Sequence, residues 1–144
     1  MKRIVNKNAY RLYQIGDKFE AGIALTGPET KAIRTRGIEL KDALVRIKNG
    51  EVFLVNAIIH PYPFARLEDQ DLSRERKLLL KEAEIKKLIE LKKRKLTIVP
   101  LACYTKGRWI KIQLGVGKRK SKKQKKQDLI KKEIERRLKR NGDV

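Results

Sequence analysis

The sequence predicts a mainly β fold with short helices, built as a small antiparallel barrel with flanking helices and a basic C-terminal tail. Short runs that alternate apolar and polar residues, separated by turn residues, occur at least five times before residue 117. A meander of this size tends to close into a barrel, because closure removes exposed strand edges. An open α+β sheet with its helices on one face is the main alternative.

The first strand and helix follow from local patterns. Apolar residues alternate over Phe19–Leu25, which is typical of a half-buried strand. Thr26 and Glu29 then form a capping-box pattern, and a proline suits the first turn of a helix. The pattern predicts a short helix over Pro28–Arg36, and Gly37 can end it.

A hairpin is the clearest local signal. Alternating runs over Leu44–Lys48 and Val52–Asn56 flank Asn49-Gly50, whose residues tolerate the positive φ that a two-residue turn requires. Residues 64–76 are expected to form a charged loop. The spacing of Ile85, Leu88 and Ile89 predicts a helix over about Glu82–Leu91.

Two more strands, Leu96–Tyr104 and Trp109–Leu114, are expected around a turn at 105–108. Five-stranded barrels with a helix at one end are oligonucleotide-binding folds, so a domain of this type over residues 1–117 is one option that the pattern allows beside the open sheet. Residues 118–144 are then a basic tail.

The tail is strongly cationic. Residues 117–140 contain thirteen Lys or Arg and three acidic residues. Such a block repels itself and buries little, so we expect 118–127 to be disordered in the free protein. Ile130, Ile134 and Leu138 form a narrow stripe, and a helix over Asp128–Arg140 is expected to be only partial until a partner binds.

The charge points to a polyanionic partner. The chain of 144 residues has a formal net charge of +21, which favours nucleic acid over a neutral small molecule. A membrane partner is not expected, because the tail stripe lacks Trp and Phe. A single cysteine, Cys103, and the absence of an apolar leader predict a cytoplasmic protein. We expect a monomer.

Enzyme chemistry has no support in the sequence. The chain has one histidine, His60, and only two serines, Ser73 and Ser121, with which it could form a Ser-His-Asp triad. One His with one Cys cannot build a zinc site. Asp69 and Asp71 are a loose acidic pair, which is usually solvated. We therefore predict no enzyme activity, no metal and no cofactor. An RNA-processing enzyme that uses this pair with a metal remains a rival hypothesis.

Binding residues are easier to propose. Lys31 and Arg34 lie one turn apart on the predicted first helix and share a face. Exposed aromatic side chains can stack on bases. The candidates are Tyr10, Tyr13, Tyr62, Tyr104 and Trp109. Strand packing is the preferred interpretation for Tyr104, whereas Trp109 at a turn is more open.

Several ordered blocks resemble the SsrA-binding protein family, also called small protein B. Residues 19–34 read FEAGIALTGPETKAIR, close to the family block (Y/F)EAGIxLxGxEVKSLR. Further blocks follow at 45–47 (VRI), 49–51 (NGE), 76–80 (RKLLL) and 97–101 (TIVPL), and NKNA at 6–9 with Tyr13 resembles the family's N-terminal block. The similarity covers residues 6 to about 118.

The resemblance implies a role in trans-translation. Members of the family bind the tRNA-like domain of transfer-messenger RNA, which rescues stalled ribosomes. The RNA contacts that the resemblance implies here are Asn6, Glu29, Lys31, Arg34, Arg76 and Lys77. The role of Glu29 would be to accept hydrogen bonds from RNA donors.

The family's basic tail becomes helical in the empty mRNA channel, next to the decoding centre of the small subunit. The implied ribosome-contacting residues are Lys118, Lys120, Lys122, Lys123, Lys131, Arg136 and Arg137. This tail departs from the family pattern, since residues 121–124 (SKKQ) replace an aromatic or His followed by Asp-Lys-Arg. A structural ribosomal protein and a general basic RNA-binding protein are the alternative functions.

Overall fold

The computed structural model describes residues 1–66 and 74–141. Within these residues the chain forms seven strands and four helices. In order they are β1 (Ile4–Val5), α1 (Lys7–Leu12), β2 (Tyr13–Ile23), α2 (Gly27–Arg36), β3 (Leu44–Lys48), β4 (Glu51–Val55), β5 (Arg76–Leu79), α3 (Glu82–Lys93), β6 (Thr97–Lys106), β7 (Trp109–Arg119) and α4 (Lys122–Asn141).

All seven strands belong to one antiparallel sheet in the order β1-β6-β7-β2-β5-β4-β3. The predicted β3–β4 hairpin is confirmed, with Lys48 opposite Glu51 and both Asn49 and Gly50 at positive φ. The mainly β, antiparallel fold class is therefore confirmed.

The predicted closure into a barrel is not present, because no ladder joins the edge strands β1 and β3 among the described residues. Strand β3 does approach β6 to within 8 Å between Cα atoms. The edge of β6 is already occupied, however. The backbone N–H of Asn6 donates to the carbonyl of Leu101 (2.7 Å), and its side-chain amide donates to the carbonyl of Pro100 (2.8 Å).

A continuous hydrophobic core lies under the sheet. Its fully buried members include Ile33 of α2, Leu88 of α3 and Ile112 of β7. Helix α2 has the predicted capping box at Thr26 and Glu29, and Gly37 ends it with φ 82° and an N–H that donates to the carbonyl of Ile33. The predicted helix α2 is thus confirmed in type, position and caps.

Several elements were missed or misplaced by the sequence patterns. Strand β2 begins at Tyr13, six residues before the predicted start, and contains a register shift between Ile15 and Lys18. Helix α1 was not predicted, because it has six residues and depends on Asn6 as its N-cap. Strand β5 begins at Arg76, inside the predicted loop, of which residues 67–73 lie outside the described part.

The tail begins differently from the prediction. Strand β7 continues to Arg119, two residues beyond the predicted domain boundary, and α4 already begins at Lys122. Ser121 precedes α4, and its hydroxyl accepts a hydrogen bond from the N–H of Gln124 (3.2 Å). The Gln124 amide also donates to Gln14 of β2 (3.0 Å), so the first turn of α4 contacts the sheet.

Candidate nucleic-acid interface

The outer face of the sheet carries a cleft whose floor is Gly22. This glycine lies opposite Leu79 of β5 on one side and Lys111 of β7 on the other. Because it has no side chain, the flanking side chains stand as walls, and an added Cβ would lie 3.3 Å from the Cβ of Leu79. We call this site the Gly22 cleft. It has a volume of about 430 Å³ and is lined by Gly22, Ile23, Leu25, Thr30, Leu79, Arg108, Trp109, Ile110 and Lys111.

One end of the cleft is aromatic and cationic. Trp109 follows the β6–β7 turn and is 63% exposed, as the sequence indicated. The guanidinium of Arg108 lies 5.5 Å from the centroid of the indole ring. Leu79 is also exposed. An exposed indole beside cations is suited to stacking on a base while nearby charges bind phosphate.

Helix α2 places Arg34 beside this cleft and Lys31 beside Tyr62. The Arg34 side chain donates to the backbone carbonyl of Arg108 (2.6 Å), which joins the exposed face of α2 to the β6–β7 turn. The ammonium group of Lys31 lies 5.6 Å from the centroid of the Tyr62 ring. Both cations are exposed, so the structure presents them to solvent on the face predicted from their spacing.

Glu29 is placed differently, because its carboxylate is buried in a network. The N–H of Thr26 donates to Oε1 (2.9 Å), and the Arg76 guanidinium contacts Oε2 at 2.8 Å and 2.9 Å. Arg74 also donates to both carboxylate oxygens. Glu29 is only 5% exposed and Arg76 only 1%. The structure therefore gives these two predicted RNA contacts an interior position, where each satisfies the other.

The Glu29 carboxylate is held in its charged form. Burial is the largest influence and raises the pKa of Glu29, but hydrogen bonds from Arg74, from the Thr26 N–H and from Arg76 together hold this pKa below its ordinary value. The network connects the start of α2, Arg74 two residues before β5, and β5 itself.

Lys77, the neighbour of Arg76, points to the opposite face of β5. It is exposed, and its ammonium group lies 3.3 Å from Oε1 of Glu51. Asn6, by contrast, is 5% exposed. In addition to its contacts with β6, its amide donates to the carbonyl of Leu40 (3.0 Å), and its Oδ1 accepts from the N–H of Ala9. Asn6 thus joins α1, β6 and the segment before β3.

A second carboxylate, which the sequence patterns did not single out, lies on the outer face. Glu20 of β2 accepts a hydrogen bond from the Tyr104 hydroxyl and another from Lys106 (3.1 Å). The Tyr104 hydrogen bond, followed by that of Lys106, lowers the pKa of Glu20. Burial and the Glu20 carboxylate raise the pKa of Tyr104 to about 12. Tyr104 is therefore half-buried on the outer face, where its hydroxyl is hydrogen-bonded across the sheet to Glu20.

The predicted tail residues are mostly exposed along α4 and the strand before it. Lys120 is the exception, since its ammonium group lies 2.5 Å from Oδ2 of Asp128 and its side chain is 14% exposed. Arg136 and Arg137 form ion pairs with Glu133. The exposed members are Lys118, Lys122, Lys123, Lys131, Arg136 and Arg137.

The cleft itself could not be predicted from the sequence, because its residues come from three strands and α2. The only local signal was Gly22 at an outward position of a strand, which often marks a close approach. In residues 1–66 and 74–141 no group of three His, Cys, Asp or Glu is arranged to hold a metal ion. The Asp69–Asp71 pair lies outside the described residues. None of the helices in that described part combines the length and apolarity needed to cross a membrane.

A basic antiparallel sheet with an exposed tryptophan beside cations is typical of a nucleic-acid-binding protein. The family model described as SmpB protein matches residues 3–143. The chain belongs to the SmpB protein family.

Named relatives agree with this assignment. An SsrA-binding protein of Thermosipho africanus is 45% identical over 135 residues, covering 92% of this chain and 91% of the relative. That of Acetivibrio thermocellus is 44% identical over 147 residues, covering 97% and 96%. A solved structure described as "tmRNA-SmpB: a journey to the center of the bacterial ribosome" is similar with a TM-score of 0.70 and 34% identity, over 90% of this chain and 95% of that chain.

Proposed function

We propose that this chain binds the tRNA-like domain of transfer-messenger RNA and accompanies it to stalled ribosomes in trans-translation. The observation that carries the proposal is the Gly22 cleft, where the exposed indole of Trp109 lies beside the Arg108 guanidinium and lines the same cleft as Lys111. The names of the relatives, which are SsrA-binding proteins, and the ribosomal context of the structural neighbour support the choice of RNA.

The exposed cations are proposed to bind the RNA backbone. Lys31 and Arg34 of α2 and Lys77 of β5 are the predicted residues that reach solvent. Arg108 and Lys111 extend this set at the cleft. Phosphate contacts of this type give affinity and register without reading sequence.

The buried members of the predicted set are proposed to act indirectly. Glu29 and Arg76 fix the start of α2 relative to β5, and thereby the positions of Lys31 and Lys77. Asn6 fixes α1 against β6. The acceptor role predicted for Glu29 is better suited to Glu20, whose side chain is 37% exposed on the outer face.

The tail is proposed to be the ribosome-contacting part, as a second unit after residues 1–117. Helix α4 presents its cations and its apolar residues together: Leu129, Ile130, Ile134 and Leu138 are all at least half exposed. A helix with this surface is suited to an anionic channel such as an empty mRNA path. Lys118 and Lys120 would contact the small subunit near the decoding centre. Disorder of the free tail stays a prediction.

The remaining parts of the proposal concern chemistry and location. The chain is proposed to act as a cytoplasmic monomer that binds RNA and catalyses no reaction itself. The Glu29 carboxylate is buried and occupied by hydrogen bonds from Arg74 and Arg76, and burial raises the pKa of Cys103 to about 12, which makes this thiol a poor nucleophile.

Competition binding tests the proposal. Labelled tRNA-like domain is titrated with the full chain at roughly physiological salt, where non-specific binding falls to about 10⁻⁴–10⁻⁶ M, with excess bulk tRNA present. The complex is expected to survive the competitor. Trp109→Ala is expected to weaken it about tenfold with an unchanged salt dependence, because base stacking releases no counterions.

The matched controls use single cations. Lys111→Ala is expected to reduce the slope of log K against log salt by about one phosphate equivalent. Lys86 is an exposed cation of α3 outside the cleft, and Lys86→Ala is expected to change neither the affinity nor the salt slope. Complete displacement by bulk tRNA would leave a general basic RNA-binding protein. Stoichiometric presence on all ribosomes would favour the structural ribosomal protein.

A further inference from the structure

An aromatic turn lies next to α2, outside the Gly22 cleft. The backbone N–H of Ala65 donates to the carbonyl of Tyr62 (3.2 Å), which closes a four-residue turn. Pro63 occupies the second position, where its fixed φ is favoured. The third position is Phe64, and its side chain is 85% exposed. A large aromatic is thus held at the tip of a turn that its own local sequence stabilises.

The two aromatic residues of this turn have different environments. Tyr62 packs against the hydrophobic core and contacts the Lys31 ammonium group at 5.6 Å. The Phe64 ring meets the Tyr62 ring at 66° with 5.4 Å between centroids. Tyr62 therefore anchors the turn. Phe64 touches it obliquely and keeps most of its own surface in water, which has a free-energy cost unless a partner covers it.

We propose that the Tyr62–Ala65 turn is a stacking platform for an unpaired nucleobase of the bound RNA, and that Lys31 binds an adjoining phosphate. This inference rests on the proposed RNA-binding function and adds a second contact site to it. A single exposed ring is too small to be a protein-docking surface. A cation beside it, in a chain with a net charge of +21, favours a partner that is both aromatic and anionic.

The direct test compares three substitutions of Phe64. Phe64→Ala is expected to weaken binding to the tRNA-like domain about tenfold, with the same salt slope. Phe64→Leu keeps the apolar bulk but has no π-face, and is expected to weaken binding similarly. Phe64→Trp is expected to retain it. Since the side chain is exposed, thermal unfolding of all three variants is expected to match the parent chain.

A spectroscopic readout reports stacking itself. The chain has one tryptophan, so Phe64→Trp combined with Trp109→Phe places the sole indole at the turn. Its fluorescence is expected to be quenched by a single-stranded RNA dodecamer and not by the same sequence in a duplex. Equal quenching by both RNAs, or none by either, would overturn the platform.

The outcomes separate the two proposals. If Trp109→Ala weakens binding and Phe64→Ala does not, the Gly22 cleft stands and the platform is wrong. If bulk tRNA displaces the tRNA-like domain from the parent chain, the proposed function fails, and the dodecamer titration still decides the platform. If Phe64→Leu binds as well as the parent chain, the contact is apolar and the stacking inference is wrong.

Discussion

The Arg–Glu ion pair between β5 and α2 is buried, whereas the Arg–Glu ion pair within helix α4 is exposed. In the sheet, Arg76 contacts Glu29 at 2.8 Å with side chains only 1% and 7% exposed. In α4, Arg137 contacts Glu133 at 3.3 Å with side chains 70% and 45% exposed. The first pair is fixed by the fold, whereas the second can exchange its partner at little cost. The buried charges of Arg76 and Glu29 therefore stabilise the fold, whereas the exposed charges of α4 are available to bind a partner.

Apolar side chains show the same contrast. Ile112 and Leu114 of β7 are fully buried, whereas Ile134 and Leu138 of α4 are 52% and 64% exposed. The first turn of α4 contacts the sheet through the Gln124–Gln14 hydrogen bond, and Asp128 in the next turn pairs with Lys120 just after β7. The sheet therefore supplies its own stability, and most of α4 depends on its intrinsic helix propensity or on a partner.

The largest expected effect separates two neighbours on β5. Arg76→Ala is expected to lower the free energy of unfolding by about 3–5 kcal/mol, because it leaves the buried Glu29 carboxylate with less compensation. Lys77→Ala, which removes an exposed ion pair with Glu51, is expected to cost less than about 1 kcal/mol. Urea unfolding measures both. Equal losses for the two variants would show that the buried network is not structurally distinct.

Acid is expected to weaken the sheet by a moderate amount. The pKa of Glu29 is lower in the folded chain than its ordinary value of 4.5, so its contribution is present above that value and is lost as the pH falls through the lowered pKa. Unfolding free energy measured from about pH 7 to pH 2 is expected to fall in this window. Glu29→Gln is expected to reduce the dependence of the unfolding free energy on pH in this window. A profile unaffected by Glu29→Gln would contradict the assignment.

The smallest expected effect lies in α4. Ile134→Ser is expected to change the unfolding free energy of the chain by no more than about 0.5 kcal/mol, because its side chain has little packing to lose. Ile112→Ser is the buried counterpart and is expected to destabilise strongly. A large loss for Ile134→Ser would mean that α4 packs on the sheet in solution.

Elements with local causes were predictable from sequence. Asn49-Gly50 determined the hairpin turn, and Thr26 with Glu29 determined the start of α2. Strand β5 escaped prediction because Arg76 stands at a buried position, which hides the alternation that Leu78 would otherwise complete. Glu29, the ion-pair partner of Arg76, lies 47 residues away in sequence, so this ion pair has no local sequence signal.

The interface was only partly predictable for the same reason. The shared face of Lys31 and Arg34 follows from helical spacing, and Trp109 follows from its place at a turn. The Gly22 cleft requires β5, β2 and β7 in register, which depends on tertiary structure. Among the described residues the sheet is open rather than closed, and no local signal in the sequence shows that β1 and Asn6 lie along the edge of β6.

The shared carboxylate of Glu29 has a consequence for how the molecule opens. It caps α2 through Thr26 and at the same time neutralises Arg76 of β5. If either element separated alone, an uncompensated charge would be left in the interior. Helix α2 and strand β5, far apart in sequence, are therefore expected to form a single cooperative unit whose backbone amides exchange with solvent through a common opening event.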